Sequence, residues 1–389
     1  MTTETITQTG ILGTLAFPNI PPFPSNISTA PLYRLSLSTL RSNPAESARL
    51  FQSSKDLGFF YLDLRGDVEG ERLLREADQA FELAQTCYDL GRDELSKFDY
   101  KSRGSYMGYK GSGTSIVDEK GNLDRNEFYN VRNTQVPGLT EVKSADSRKI
   151  PKDDFLGISE TPFEHPQLLY KNADLIKSYM QTAHSIVILI LSHLNTHLHL
   201  PPNTLQNLHD LRSHSGDQVR LIKSPPQPAS ELRATLGKHT DFGSITILFN
   251  RIGGLQILPP PSLTPTGQEP QWTYVKPLPG HCIVNLGDAM VKFTNGLLRS
   301  NIHRVVAPPG IQGKETRYSV VYFARPGDEV VLKRLNGSDV IPELKEGEKE
   351  EEINSKDWIL LQALRLRGVK EGMSDEEKKK LWEESGRGK

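Results

Sequence analysis

The 389-residue chain has few of the features that are typical of secreted, membrane-bound or nucleic-acid-binding proteins. It contains only two cysteines, Cys87 and Cys282, which are too few for a disulfide framework and suit a reducing compartment. Its 47 basic and 48 acidic residues leave a formal net charge of −1, so no global field attracts nucleic acid or an anionic membrane. The composition therefore favours a small-molecule partner, and it indicates no obligate protein partner.

Long apolar runs and a leader pattern are also absent from the sequence. The longest apolar run, residues 186–191, is far shorter than the roughly 20 residues that a membrane span requires. Residues 1–20 are rich in threonine and lack a basic region followed by an apolar stretch, so we expect no secretory signal and a cytoplasmic protein. The glycine-rich segment 103–113 lacks the spacing of a phosphate-binding loop, which argues against a nucleotide site there.

The triplet His239-Thr240-Asp241 is the most informative pattern that is present. Apolar residues alternate with others over 244–249, which predicts a half-buried strand that carries or adjoins the triplet. Side chains two residues apart on an extended chain point to the same face. His239 and Asp241 can therefore reach one common metal ion.

A third ligand is available from His303, in a second β-rich run at 300–306 that follows a turn signal at 294–296. Each histidine alone is more typical of a structural residue on a strand or in a core. Together with Asp241, however, the two imidazoles form the set of two histidines and one carboxylate that is associated with non-haem Fe(II) oxygenases.

A guanidinium and a hydroxyl follow on a further predicted strand, residues 316–323. On that strand Arg317, Ser319, Val321 and Phe323 share one face. Arginine offers a rigid fork of donors that matches a carboxylate, and a neighbouring hydroxyl can bond the remaining lone pair. The pair could hold the far carboxylate of 2-oxoglutarate, whereas the alternative for Arg317 alone is a surface salt bridge on an edge strand.

The chain resembles the isopenicillin N synthase-like family of 2-oxoglutarate/Fe(II)-dependent dioxygenases. The resemblance is densest over about 217–326 and extends to an N-terminal companion segment, so that it covers most of the chain. The segments that carry it are 217–221 (DQVRL), 253–257 (GGLQI), 272–275 (WTYV), 285–288 (NLGD) and 300–304 (SNIHR), preceded by 31–35 (PLYRL) and 58–61 (GFFY).

This resemblance implies specific roles for five residues. By position, His239, Asp241 and His303 match the family's iron ligands, while Arg317 and Ser319 match its clamp for 2-oxoglutarate. The implied cofactor is Fe(II), with 2-oxoglutarate and O2 as co-substrates. The fold that the resemblance and the many short strands indicate is mainly β with flanking helices, around a double-stranded β-helix or jelly-roll core.

The implied reaction is the oxidation of a small organic molecule, in secondary metabolism. Hydroxylation is the default outcome, with desaturation or ring formation as variants. Phe323 is a candidate for contact with the substrate, and the resemblance places Tyr106 and Phe128 near the mouth of the pocket. For these two residues the alternative is simple packing of loop aromatics on the body.

The chain departs from the family at one place. Many relatives carry an asparagine and a tyrosine that help to hold the oxo-acid, and here Ile222 and Ser224 occupy those positions. Ser224 could replace the tyrosine contact, or Lys223 could supply charge nearby. The alternatives are an iron oxidase that uses no oxo-acid and, less favoured, a ligand-binding barrel without catalysis.

We predict one compact body with four regions. These are an extended lead-in (1–30), a helical companion region (31–215), the jelly-roll core (216–326) and a charged, partly helical C-terminal extension (327–389). Helices are predicted over 38–57, 71–98 and 172–199, a strand over 59–64, a surface loop over 259–270, and a helix over 358–366 that folds back over the barrel mouth. His193 and His197 lie one turn apart in the third helix, a spacing that could bind metal but more often belongs to a polar face.

Overall fold

The computed structural model describes residues 19–132, 163–228, 233–264 and 266–366, together with positions 17, 373, 374, 376, 377 and 380. Most of the predicted N-terminal lead-in at 1–30 and part of the charged C-terminal extension lie outside these residues. The division into four regions stays a prediction.

The strands of the described residues form two sheets, one of eight strands and one of four. In spatial order the larger sheet contains β1 (Tyr33–Ser36), β2 (Phe59–Asp63), β10 (His281–Leu286), β7 (Ile245–Asn250), β12 (Arg317–Ala324), β5 (Gln218–Ser224), β4 (Glu127–Arg132) and β3 (Gly108–Lys110). The smaller sheet contains β6 (Ala234–His239), β11 (His303–Val306), β8 (Leu255–Ile257) and β9 (Thr273–Tyr274).

From β5 to β12 the chain passes repeatedly between the two sheets, and the strands in this part pair antiparallel. Such alternation is what winds a chain into a jelly roll. The predicted double-stranded β-helix with flanking helices is confirmed. The 259–270 segment is a loop between β8 and β9 with one short 3-10 helix, Pro261–Leu263.

The helices of the described residues lie before, between and after these strands. They are α1 (Leu37–Leu40), α2 (Pro44–Asp56), α3 (Val68–Asp89), α4 (Arg92–Ser96), α5 (Gln167–Lys171), α6 (Ala173–His197), α7 (Thr204–Asn207), α8 (Asp288–Phe293) and α9 (Ser355–Leu366).

Two of the predicted helices, 38–57 and 71–98, are each divided in the structure. Asn43 starts α2 because its side chain accepts the amide of Ala45, and Pro44 occupies the first turn. Gly91 separates α3 from α4 with a φ of 82°, a left-handed conformation that a helix interior does not contain. Both predictions missed these breaks because apolar spacing continues across them.

Two hydrophobic cores lie on opposite faces of the larger sheet. On β2, Phe60 and Leu62 pack into the core on the helical side, while Phe59 and Tyr61 pack toward the smaller sheet. Strand β7 is likewise buried along most of its length, and its Phe249 contacts a ring of α6. The prediction of a half-buried strand over 244–249 is therefore wrong. Ile245, Ile247 and Phe249 pack on the helical side, as expected of the apolar face, but the other face is also covered, since Leu248 packs toward the smaller sheet.

Helix α6 confirms the helix predicted over 172–199. Among the described helices it alone is long and apolar enough, by length and composition, to cross a membrane. It packs against α3 and β12, and 56% of its apolar window is buried within the protein. The hydrophobicity of α6 is thus accounted for by the core.

The histidine pair of α6 has a structural contact. The Nδ1 atom of His193 and the Nε2 atom of His197 each lie 2.9 Å from the Ser47 hydroxyl of α2. Partial burial lowers the pKa of both imidazoles. Within the described ranges no acid or thiol joins them as a third ligand, so the pair fastens α6 to α2.

Candidate active site

Three side chains converge at one end of the barrel. His239 ends β6 and lies opposite His303 of β11 in the register of the smaller sheet, with ring centroids 4.2 Å apart. Asp241 follows β6 by two residues, and its Oδ1 lies 3.9 Å from Nε2 of His239 and 3.8 Å from Nε2 of His303. Among the described residues this is the group of histidine, cysteine or acidic side chains that could hold a metal ion.

Backbone contacts orient both imidazoles toward the centre of this group. Nδ1 of His239 lies 2.9 Å from the carbonyl of Gly237, and Nδ1 of His303 lies 3.1 Å from the carbonyl of Asn301. A carbonyl only accepts, so each Nδ1 is the protonated nitrogen and each Nε2 presents a lone pair. Phe59 packs edge-on against His303 and limits its rotation.

The carboxylate of Asp241 is fixed in the same manner. Its Oδ2 accepts from the Thr246 hydroxyl at 2.6 Å and from the Asn285 amide at 2.7 Å, which leaves Oδ1 facing the two histidines. Burial alone would raise the pKa of Asp241, but the two histidines and these hydrogen bonds outweigh it and lower the pKa. The donor set, with two neutral nitrogens and one anionic oxygen, fits Fe(II).

A buried cation lies between the two sheets near this group. Arg317 is 2% exposed, donates from Nε to the carbonyl of Gly253 at 2.8 Å, and donates from Nη1 to the Ser319 hydroxyl at 2.7 Å. Burial lowers its pKa to about 10, so the guanidinium still carries its charge at neutral pH. No carboxylate of the described residues pairs with it, so its charge is available to an anionic ligand.

The departure from the family at 222–224 lies on the neighbouring strand β5. Ser224 lies opposite Arg317, and Ile222 lies opposite Ser319, so both are placed beside the guanidinium and hydroxyl. Lys223 points to the other face, where its ammonium pairs with Glu127 at 3.3 Å and lies over the Tyr88 ring. The suggestion that Lys223 supplies charge to the oxo-acid is therefore wrong, whereas Ser224 is in place.

A pocket of about 710 Å³, counted with its mouth, opens beside His239 and Asp241. Besides these two, its walls consist of Tyr106, Lys110, Ser115, Asp124, Phe128, Arg220, Leu236, Phe242, Phe323, Arg325 and Ala363. The three residues proposed for substrate contact, Phe323, Tyr106 and Phe128, all lie in this lining. Tyr106 and Phe128 are thus in the pocket wall and not on an outer loop surface.

Comparisons with known proteins agree with this geometry. The family model described as the 2OG-Fe(II) oxygenase superfamily matches residues 215–326, and the non-haem dioxygenase N-terminal model, named for morphine synthesis, matches residues 30–152. A 2-oxoglutarate-dependent dioxygenase of Aspergillus fumigatus is 31% identical over 339 residues, which are 83% of this chain and 82% of the relative. The chain belongs to the 2OG-Fe(II) oxygenase superfamily.

Another relative is similar to this oxygenase in sequence, and two solved structures are similar to it in fold. A 2-oxoglutarate-dependent dioxygenase of Glarea lozoyensis is 31% identical over 309 residues, covering 79% of this chain and 83% of the relative. The fold matches T7H of Neurospora crassa in complex with alpha-KG and thymine, with a TM-score of 0.65 at 19% identity over 85% of this chain and 96% of that one. It also matches a rice dioxygenase for auxin oxidation, with a TM-score of 0.57 and 18% identity. That match covers 85% of this chain and 94% of the rice protein.

The oxygenase is therefore a 2-oxoglutarate- and Fe(II)-dependent dioxygenase. Sequence reasoning named the residues near its candidate metal site but missed two cations and one ion pair in the pocket wall. The missed residues are Arg220, Arg325, Lys110 and Asp124. For Arg220 a signal was present, since period-two alternation places it on the same face of β5 as Ile222 and Ser224.

Helix α9 covers part of the pocket mouth, as predicted for residues 358–366. Ala363 lines the pocket, and Ile359 and Leu360 pack in a cluster with Tyr106. The Trp358 indole donates to the carbonyl of Phe242, one residue after Asp241, at 3.2 Å. The C-terminal helix thus contacts the loop that carries Asp241.

Replacing Trp358 by alanine is expected to loosen α9 while leaving the barrel folded. The change removes the hydrogen bond to Phe242 and the contact with the Lys292 ammonium, which lies 4.5 Å from the indole ring. Hydrogen exchange should become faster for the amides of 355–366 and stay unchanged in β7 and β12. Leu361→Ala, on the exposed side of the same helix, is the matched control; equal exchange in both variants would contradict the anchoring role.

Proposed function

We propose that His239, Asp241 and His303 hold Fe(II), and that Arg317 with Ser319 binds the distal carboxylate of 2-oxoglutarate. The observation that carries this proposal is the convergence of Asp241 Oδ1 with both Nε2 atoms, within 4.8 Å of one another. The second support is the buried guanidinium between the sheets, which has no acidic partner among the described residues. Together they supply one site for a metal and one for a dicarboxylate.

The protein's own residues perform positioning in this scheme. Fe(II) held by these residues, with 2-oxoglutarate and O2, would supply the oxidising chemistry, in which 2-oxoglutarate is consumed to give succinate and CO2. Hydrogen bonds orient the ligand atoms before the metal binds. The carbonyls of Gly237 and Asn301 orient the two histidines, and the side chains of Thr246 and Asn285 orient Asp241. Apolar walls beside the ligands, among them Phe242 and Phe323, exclude water from the reacting substrate.

The substrate in this proposal is a small organic molecule. The pocket combines apolar walls with a few charged and polar side chains, which is the lining expected of a small-molecule site. We place this oxidation in secondary metabolism; the fungal relatives named as 2-oxoglutarate-dependent dioxygenases support the class of reaction. Hydroxylation is the outcome we propose first, with desaturation or ring formation as variants.

We also propose a cytoplasmic location. Both cysteines are buried and unpaired, and burial raises the pKa of the Cys87 thiol to about 12, which keeps it protonated and unreactive. Thiols of this kind need no oxidising compartment. Fractionation of the native protein tests this placement, and its recovery with secreted proteins would contradict it.

Reconstitution without oxygen tests the enzymatic proposal directly. Adding Fe(II) and 2-oxoglutarate to the metal-free protein should produce a weak visible absorption band, because the oxo-acid chelates iron that retains open positions. On admission of air, succinate should form in proportion to the 2-oxoglutarate consumed. Oxidation of a substrate without succinate release would identify the oxo-acid-independent oxidase instead.

A further inference from the structure

The pocket beside the candidate metal site contains a buried cation that the proposed function does not use. Arg325 lines the pocket, is 5% exposed and donates from Nη1 to the Tyr106 hydroxyl and the Gly216 carbonyl, at 2.7 Å each. Its Nε has no acceptor among the described residues. Asp217 accepts the backbone amide of Arg325, not its guanidinium, so within the described part of the chain this buried charge is bonded to neutral groups alone.

Two glycines leave room for the side chain of Arg325. A Cβ atom at Gly216 would lie 2.8 Å from Cδ of Arg325, and one at Gly243 would lie 2.9 Å from Cγ. Any larger residue at either position would displace the arginine stem. The side chain of Arg325 therefore lies enclosed between two glycines, one before β5 and one in the loop after Asp241.

A second cation and two aromatic rings complete this end of the pocket. The guanidinium carbon of Arg220 lies 4.1 Å from the ring centre of Phe128 and 4.9 Å from that of Phe323, and its Nε donates to Asn130. The guanidinium carbon of Arg325 lies 5.5 Å from the same Phe323 ring. Phe323 thus offers an apolar surface next to both positive groups.

The acids of the pocket wall have other partners. Asp124 forms a buried ion pair with Lys110 and accepts the amides of Thr114 and Ser115. Asp241 is one of the proposed iron ligands. Among the described residues, neither acid of the wall thus neutralises Arg325, and burying such a charge beside a ligand is favourable when the ligand brings an anion.

We propose, building on the proposed function, that the substrate carries a carboxylate that Arg325 binds, and that Phe323 contacts an apolar or aromatic part next to it. The planar donors of a guanidinium match a carboxylate in geometry as well as charge. The contact fixes the acid end of the substrate and so determines which carbon is presented to the metal. Arg325 is in this sense a specificity-determining residue.

Matched acids and esters test this inference on the full-length protein. The probes are cinnamate, 3-phenylpropanoate and indole-3-acetate, each beside its methyl ester, titrated without oxygen into protein loaded with Fe(II) and saturating 2-oxoglutarate. Saturation keeps the acids away from the oxo-acid site at Arg317. We expect at least one acid to bind about tenfold or more tightly than its ester. The shift of the visible band and calorimetry both measure the dissociation constants.

Substitutions assign the preference to Arg325. Arg325→Gln should remove the difference between acid and ester without affecting the band of iron and 2-oxoglutarate, and Arg325→Lys should retain part of it. Arg251→Gln, which breaks an exposed ion pair with Asp78 far from the pocket wall, should leave the preference intact.

Three results would overturn the inference: no acid binds more tightly than its ester, the preference survives Arg325→Gln, or Arg251→Gln removes it equally. The comparison of acid with ester in the unsubstituted protein needs no variant, so it can overturn the inference even if Arg325→Gln does not fold. In that case Arg325→Lys, which should retain only part of the preference, tests the assignment to the arginine. Absence of the visible band would refute the proposed function instead. Calorimetry does not depend on that band and still measures the acid preference.

Discussion

Replacing Asp241 by alanine is expected to yield a folded oxygenase that retains little iron and turns over at less than about a hundredth of the normal rate. The carboxylate is the one anionic ligand of the three, and even partners outside the ligand set typically contribute about 10–100-fold to metal affinity. The change leaves the donors of Thr246 and Asn285 without their acceptor, which costs roughly 1–3 kcal/mol of stability each. Iron content by metal analysis, succinate formation and thermal unfolding measure the three effects.

The contribution of the Asp241 carboxylate to iron binding can be separated from that of the side chain that hydrogen-bonds to it. Asn285→Ala keeps Asp241 but removes one hydrogen bond to its Oδ2, so iron affinity should fall by about 10–100-fold and activity should return when iron is added in excess. Asp78→Ala, which removes an exposed carboxylate of α3, should change neither quantity. Normal iron content and turnover in Asp241→Ala would show that the ligand assignment is wrong.

The metal site could be predicted from sequence because its geometry is mostly local. His239 and Asp241 are separated by one residue, so their common direction follows from extended backbone alone. His303 required more, since its place opposite His239 depends on the pairing of β6 with β11 across more than 60 intervening residues. The turn signal before the β-rich run was enough to nominate it, and the structure brings the three side chains together.

Other features depend on tertiary packing that no local pattern records. Strand β7 alternates like a half-exposed strand, yet its second face is buried toward the smaller sheet, which pairs residues distant in the sequence. Arg325 follows the last core strand and reads as a loop residue, and only the approach of Gly216 and Gly243 shows that its side chain is enclosed. Lys223 is a different case, because alternation along β5 already separates it from Ile222 and Ser224.

Replacing Arg317 by lysine is expected to raise the dissociation constant for 2-oxoglutarate about 10–100-fold while iron binding stays normal. Lysine keeps a positive charge but has no fork, so it cannot bond Gly253, Ser319 and a carboxylate in the way the guanidinium does. Hydrogen bonds to a charged group contribute about 1.5–3 kcal/mol, and about 1.4 kcal/mol corresponds to tenfold in affinity. Titration of the iron-loaded protein with 2-oxoglutarate, without oxygen, measures the change.

Two further variants, at Ser319 and at Arg251, show whether the effect of Arg317→Lys is specific to the 2-oxoglutarate clamp. Ser319→Ala removes one partner of the guanidinium and one possible donor to the oxo-acid, so its effect should have the same direction and a smaller size. Arg251→Lys makes the same chemical change at an exposed ion pair and should leave the titration unaltered. Ser224 lies opposite Arg317, at the position where the family resemblance implies a tyrosine. Because serine has a shorter reach, 2-oxoglutarate should depend more strongly on the arginine, and the effect of Arg317→Lys should be larger. An unchanged requirement for 2-oxoglutarate in Arg317→Lys would remove the clamp from the proposed function while leaving the iron site in place.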